Sequence, residues 1–132
     1  MTRIAITGGP RTGKTTMSGR LSVEASGPRV VPARHTDDLI GKLPWSDASA
    51  EVARWLDAPG PWIIEGVSVS RALRKWREAH PGEPPPVDRV IYLETPHEPL
   101  TPRQQGMAKG VRTVHDEIEE WLAEHGVQTE YL

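Results

Sequence analysis

"RIAITGGPRTGKTT", residues 3–16, is the stretch on which the reading of this chain turns. Its first part, "RIAIT" at 3–7, is short, β-branched and apolar, the pattern of a strand buried on both faces. Glycines follow at once, at Gly8, Gly9 and Gly13, with Pro10, Arg11 and Thr12 between them. That turn is too poor in apolar side chains to be packing material. Beyond it, Met17, Leu21 and Ala25 fall on one helical face, and Arg20 with Glu24 makes an i,i+4 pair on another. A buried strand, a glycine-rich turn and an amphipathic helix thus come one after another.

The alternation continues outward from there. "RVVPA" at 29–33 reads as a second short strand, and Pro32, which cannot serve a ladder on both sides, assigns it to a sheet edge. Ser46 can cap a helix that turns Val52, Trp55 and Leu56 inward and ends near "APGP" at 58–61. "PWIIEG" at 61–66 is apolar on both faces and therefore a central strand. Val69, Ala72, Leu73 and Trp76 repeat at i, i+3, i+4, i+7, a helix that His80, Pro81 and Gly82 stop. "VDRVIYLE" at 87–94 is a fourth strand. Val111, Val114, Ile118, Trp121 and Leu122 make a last helix with Gly126 at C′, and "VQTEYL" at 127–132 a fifth strand. Strand–helix alternation predicts an α/β fold, a parallel sheet with helices on both faces. Ligands in such sheets sit beyond the carboxyl ends of the strands.

The 132 residues suit one domain, 1–132. A formal charge of −2 exerts no global pull toward nucleic acid or anionic lipid, although a local basic face can hide in a balanced total. The absence of cysteine excludes disulfides, thiolate zinc sites and cysteine nucleophiles. No apolar run approaches the roughly 20 residues of a membrane span, and no basic-then-apolar leader precedes the first strand. The expectation is a soluble, cytoplasmic protein without membrane contact. Phenylalanine is absent, so the five tryptophans are expected to supply much of the core's aromatic bulk. "HPGEPPPVD" at 80–88 reads as a stiff surface turn.

Gly8-x-x-x-x-Gly13-Lys14-Thr15 matches the P-loop pattern in full, with a strand before it and a helix after. The bare pattern arises by chance in about one chain of this length in two hundred. Glycines let successive N–H groups point into one concave nest, to which the helix N-terminus adds its positive field. Residues 8–16, ending in Thr15 and Thr16, are thus expected to cradle ATP or another nucleoside triphosphate. Lys14 would reach the β- and γ-phosphates and the Thr15 hydroxyl would ligate Mg²⁺. The bland alternative is a glycine-rich turn that caps an ordinary helix.

With this motif placed, the chain resembles the small P-loop kinases of the nucleoside and nucleotide kinase group, which includes adenylate, shikimate, gluconate and polynucleotide kinases. The resemblance covers nearly all of the chain in the order of its elements. It implies a three-layer α/β/α sandwich whose five parallel strands run in the order 2-3-1-4-5. That order leaves the second strand at an edge, where Pro32 independently puts it.

The acceptor side is read from the other strand ends. "HTDDLIG" at 35–41 follows the second strand, and its carboxylates resemble those of P-loop kinases that phosphorylate a hydroxyl. A carboxylate suits the task because it can bond the attacking hydroxyl and take its proton late. Asp37 is preferred and Asp38 is the second choice; the alternative is that Thr36 or Asp37 merely caps a helix. Glu65 and Gly66 resemble the residues that end the third strand in these kinases, where the acid bonds a water on Mg²⁺ and the glycine leaves room for the acceptor. Arg71 and Arg74, one turn apart, could bind an acidic acceptor group or simply form a solvated basic face.

Residues 95–110 lie where this group carries its lid, short here. Arg103, Lys109 and Arg112 are candidates to touch the transferring phosphoryl, with Gly106 and Gly110 as candidate flexible points. Arg112 could instead pair with Asp116 at i,i+4. His35, His97 and His115 lack ligand-like spacing and read as surface or loop residues. The resulting expectation is a kinase that moves the γ-phosphoryl of Mg-ATP to a hydroxyl or phosphate of a small, nucleoside- or nucleotide-like acceptor. Phosphorylation of a nucleic-acid 5′ end or a hydroxymethylated base, and a non-catalytic nucleotide switch, are the alternatives.

Overall fold

The computed structural model describes residues 2–24, 33–39 and 42–132. Along them run β1 (Arg3–Gly8), α1 (Lys14–Glu24), β2 (Ala33–His35), a 3-10 helix (Thr36–Leu39) and α2 (Trp45–Trp55). Then come β3 (Trp62–Glu65), α3 (Val69–Ala79), β4 (Arg89–Leu93), α4 (Pro102–Glu124) and β5 (Thr129–Tyr131). The strands form one all-parallel sheet in the order β2-β3-β1-β4-β5. This is the expected order; Pro32 lies outside the described residues.

Period-two alternation along β1 divides the core. Ile4 and Ile6 face one side, where Ile63, Ile91 and Leu93 join them under Met17 and Leu21 of α1. Ala5 faces the other and belongs to a larger cluster with Val52 and Leu56 of α2, Leu73 and Trp76 of α3, and Ile118 and Trp121 of α4. Among the described residues, one α-helix therefore covers one face and three cover the other. Each fully buried side chain such as Ile6, Leu73 or Ile118 contributes about 1.5–3 kcal/mol. Half-exposed ion pairs such as Arg3–Asp88 and Arg89–Glu130 contribute at most about 1 kcal/mol each, so packing holds the fold.

Several boundaries differ from the sequence expectation. Of the second strand expected at 29–33, residues 29–32 lie outside the described residues; the described β2 runs on to His35, and pairing with β3 sets Ala33 opposite Ile63 and His35 opposite Glu65. α2 begins before Ser46. Pro44 is its N-cap and accepts from the Ala48 N–H at 2.8 Å, while Ser46 Oγ accepts from Lys75 Nζ at 3.1 Å. α4 starts at Pro102, so Gly106 and Gly110 are helical positions rather than flexible points in a lid. Thr101 fixes that start: its hydroxyl accepts from the Gln104 N–H at 3.2 Å, and the Gln104 side chain accepts from the Thr101 N–H at 3.0 Å.

Of two side-chain expectations, the one for the tryptophans holds for all but Trp45 and the one for His115 fails. Trp62, Trp76 and Trp121 are buried and Trp55 packs against the core, but Trp45 is 42% exposed. His115 is not a surface residue; it is fully buried on α4. Its Nδ1 is 3.1 Å from Ser70 Oγ and its Nε2 2.9 Å from Thr129 Oγ1, and Ser70 Oγ is 2.8 Å from Thr7 Oγ1. A buried polar chain thus joins β1, α3, α4 and β5. No helix among the described residues is long and apolar enough to cross a membrane.

Candidate functional site

The turn between β1 and α1 is built on left-handed backbone, at Gly8 (φ 144°), Arg11 (φ 59°) and Gly13 (φ 85°). Glycine is required at its two ends. A β-carbon on Gly8 would lie 2.5 Å from the Leu93 carbonyl oxygen, and one on Gly13 2.7 Å from His97 Nε2. Arg11, which has a side chain and so bears strain, is held by the His97 N–H donating to its carbonyl at 2.7 Å and by an ion pair with Glu98. Among the described residues the N–H groups of Arg11, Thr12 and Gly13 donate to no protein acceptor. Together with the orphan donors of the first turn of α1 they supply an anion nest.

Lys14 folds back over this nest. It is buried, and its Nζ donates to the Gly9 carbonyl at 2.5 Å and to Thr12 Oγ1 at 3.3 Å. Burial lowers the pKa of the ammonium below the ordinary lysine value, and the Asp37 and Glu65 carboxylates work against that shift. Residues from three separate strand ends therefore act on one cation. Of the two aspartates after β2, both exposed, Asp37 is the one whose charge reaches Lys14.

Glu65, at the carboxyl end of β3, is 1% exposed. Its Oε1 accepts from Thr15 Oγ1 at 3.2 Å and lies 2.6 Å from His35 Nδ1. Among the described residues its Oε2 is buried with no hydrogen-bond partner, as are Thr36 Oγ1 and Ser68 Oγ. A buried polar atom left unpaired costs about 1–3 kcal/mol, and these three gather where β2 and β3 end. Gly66 makes that gathering possible. Its φ is 143°, and a β-carbon there would lie 1.7 Å from Thr36 Oγ1 and 3.3 Å from Asp37 Oδ1.

No group of three or more His, Asp or Glu side chains fit to hold a metal unaided occurs among the described residues. The donor set nevertheless suits Mg²⁺. That ion keeps most of its waters and asks a protein for one or two hard oxygens beside substrate phosphates, which Thr15 Oγ1 and the unpaired Glu65 Oε2 can provide.

The remaining candidates separate. Arg71 lines a cavity beside Val67 and has no ion-pair or hydrogen-bond partner among the described residues. Arg74 instead pairs with Glu117 at 3.0 Å. Arg112 is engaged by Asp116 at 3.0 Å and Glu94 at 3.2 Å and lies over the Tyr92 and Tyr131 rings, so the i,i+4 pair weighed from the sequence exists. Lys109 and Arg112 line a hollow of about 540 Å³ with Gly9, Pro10 and Thr12; Arg103 is exposed in the first turn of α4. Thr16 lines a further hollow of about 510 Å³ with Gly13, Met17, Arg20 and His97. Sequence reasoning missed His35, because only the pairing of β2 with β3, which no local pattern carries, sets it opposite Glu65.

No family model matches the chain, and no curated protein matches its sequence.

Proposed function

We propose that the protein is a P-loop phosphotransferase that moves the γ-phosphoryl of a magnesium-bound nucleoside triphosphate, ATP or another, to a hydroxyl of a small acceptor. The observation that carries the reading is the unpaired, buried Glu65 Oε2, set beside Thr15 and within the field of Lys14 at the mouth of a glycine-built anion nest. In this reading the free N–H groups of residues 11–13 bond phosphate oxygens, and Lys14 exchanges the Gly9 carbonyl for the β- and γ-phosphates. The hollow beside Thr16, Met17 and His97 offers room for the base.

Thr15 Oγ1 would ligate Mg²⁺ directly and Glu65 through a water. Magnesium, when bound, would supply positive charge against the negative charge that develops on the phosphate oxygens. Asp37 accepts the proton of the acceptor hydroxyl, whose oxygen forms the new bond to the γ-phosphorus. The bond from that phosphorus to the β,γ-bridging oxygen breaks, the nucleoside diphosphate leaves with the electron pair, and Asp37 returns its proton to solvent.

The test is calorimetry of the full chain with Mg-ATP, followed by labelled ATP offered with nucleosides, nucleotides, sugars, hydroxy acids and oligonucleotides. Micromolar binding and label on one acceptor are expected. Binding without any labelled acceptor would reduce the protein to a nucleotide-binding module, and no binding would remove the reading altogether.

A further inference from the structure

A cavity of about 350 Å³ opens beside the proposed transfer site. Trp45 of α2, Val67 and Arg71 around the start of α3, and Met107 and Val111 of α4 line it. Val67 directly follows Gly66, and a β-carbon on Gly66 would lie 3.3 Å from Asp37 Oδ1, so the chain joins one wall of the cavity to the residue that packs beside Asp37. Gly106 and Gly110, one turn apart on α4, also line it and keep it open. Glycine within a helix costs about 1 kcal/mol relative to alanine. Packing does not demand that cost at Gly106, where a β-carbon would meet nothing within 4 Å; at Gly110 it would lie 3.2 Å from Arg71 Nη2. The two glycines give up helix stability, and what they leave is an open apolar space with room for one guanidinium.

We propose that this cavity holds the body of the phosphoryl acceptor, and that the acceptor is a small hydroxyl compound with a flat, apolar ring and one carboxylate. The proposal rests on the phosphotransferase reading above. At roughly 30 Å³ per water-sized volume the cavity fits about a dozen heavy atoms, a substituted benzene ring rather than a whole nucleotide. Trp45, whose indole is exposed at the mouth, and the Met107 thioether suit a ring, the first by stacking and the second by sulfur–aromatic contact. Arg71 is the only charged residue of the lining among the described residues, and its planar fork matches a carboxylate. A nucleobase fits less well. Apart from Arg71 and the Trp45 indole N–H, the lining side chains among the described residues carry no group able to bond its polar edge, and unpaired polar edges are what binding sites reject most strongly. The step is the one written above: the acceptor's hydroxyl oxygen bonds to the γ-phosphorus, the nucleoside diphosphate leaves, and the hydroxyl proton passes through Asp37 to solvent.

The test is calorimetry on the full chain saturated with Mg²⁺ and a non-hydrolysable ATP analogue. The probes are the 2-, 3- and 4-(hydroxymethyl)benzoates, their neutral amides, glycerate and thymidine. At least one benzoate is expected to bind ten-fold or more tightly than its amide, glycerate or thymidine. Arg71→Gln should erase the preference for benzoate over amide, Arg71→Lys should keep part of it, and Gly106→Leu should fill the cavity and abolish binding. Mg-ATP binding serves as the fold control for every variant. Equal binding of benzoate and amide, tighter binding of thymidine, or no binding by any benzoate overturns the acceptor class while Mg-ATP binding leaves the phosphotransferase reading standing. Failure of the wild type to bind Mg-ATP overturns both.

Discussion

Thr15 donates to Glu65 Oε1 across 3.2 Å, tying the first turn of α1 to the end of β3, while Glu65 Oε2 stays buried without a partner. Glu65→Gln keeps the shape of this link and removes its charge. The substitution is expected to raise the Mg²⁺ concentration needed for nucleotide binding about 10- to 100-fold, the usual scale for an outer-sphere carboxylate. Nucleotide titrations at stepped Mg²⁺ measure it; an unchanged Mg²⁺ midpoint counts against the role given to Glu65.

Gly66 tolerates no side chain. Gly66→Ala would drive a β-carbon into Thr36 Oγ1 at a φ of 143° and push the 3-10 helix that carries Asp37 away from β3. A loss of about 1–3 kcal/mol is expected in denaturant unfolding. Thr36→Gly in the same chain should restore part of it by removing the clashing atoms. If Gly66→Ala alone unfolds at the wild-type midpoint, the close packing described here is wrong.

The acid–base and charge roles divide between Lys14 and Asp37. Lys14→Ala is expected to weaken Mg-ATP binding and abolish transfer. Asp37→Asn should leave Mg-ATP binding intact and slow transfer by about 10²-fold or more, while Asp38→Asn, which removes a charge that does not act on Lys14, should transfer at close to the wild-type rate. Rates with the acceptor found by labelling decide it. A slow Asp38→Asn beside a normal Asp37→Asn would reverse the assignment.

Acid should weaken the fold through His115. Burial, the dominant cause, lowers its pKa to about 4; Glu119 and Asp116 oppose that shift and Arg112 adds to it. In the unfolded chain the ring protonates near its ordinary value of 6.5. Between these values the unfolded chain binds more protons than the folded one, so stability falls as pH drops through the window and this contribution levels off below it. The loss amounts to about 3 kcal/mol. His115→Gln should be less stable at neutral pH yet lose less between pH 7 and 4. Asp88 and Glu130, held below the usual carboxylate range mainly by hydrogen bonds from Arg3 and Arg89, add their losses equally to both proteins, so the difference is the readout. Parallel stability curves would show that the ring titrates normally.

The succession of strands and helices and the glycine turn between β1 and α1 were legible in the chain itself, whereas the strand order was only what the resemblance to P-loop kinases implied. Period-two and 3.6-residue apolar patterns and the conformational freedom of glycine are local properties, and each acts within a few residues. The start of α4 was legible too, in Thr101, Pro102 and Gln104, although the segment read as a lid. Which of two similar residues faces the site was not. Arg71 and Arg74 are equivalent on a helical repeat, and only the seating of α3 against α4 brings Glu117 to Arg74 and leaves Arg71 beside the cavity. His35 meets Glu65 because parallel pairing sets them opposite, and His115 is buried because Ser70 and Thr129 converge on it from other elements. Such distances link residues 14 to 45 positions apart, and sheet register and core packing, rather than any local pattern, decide them.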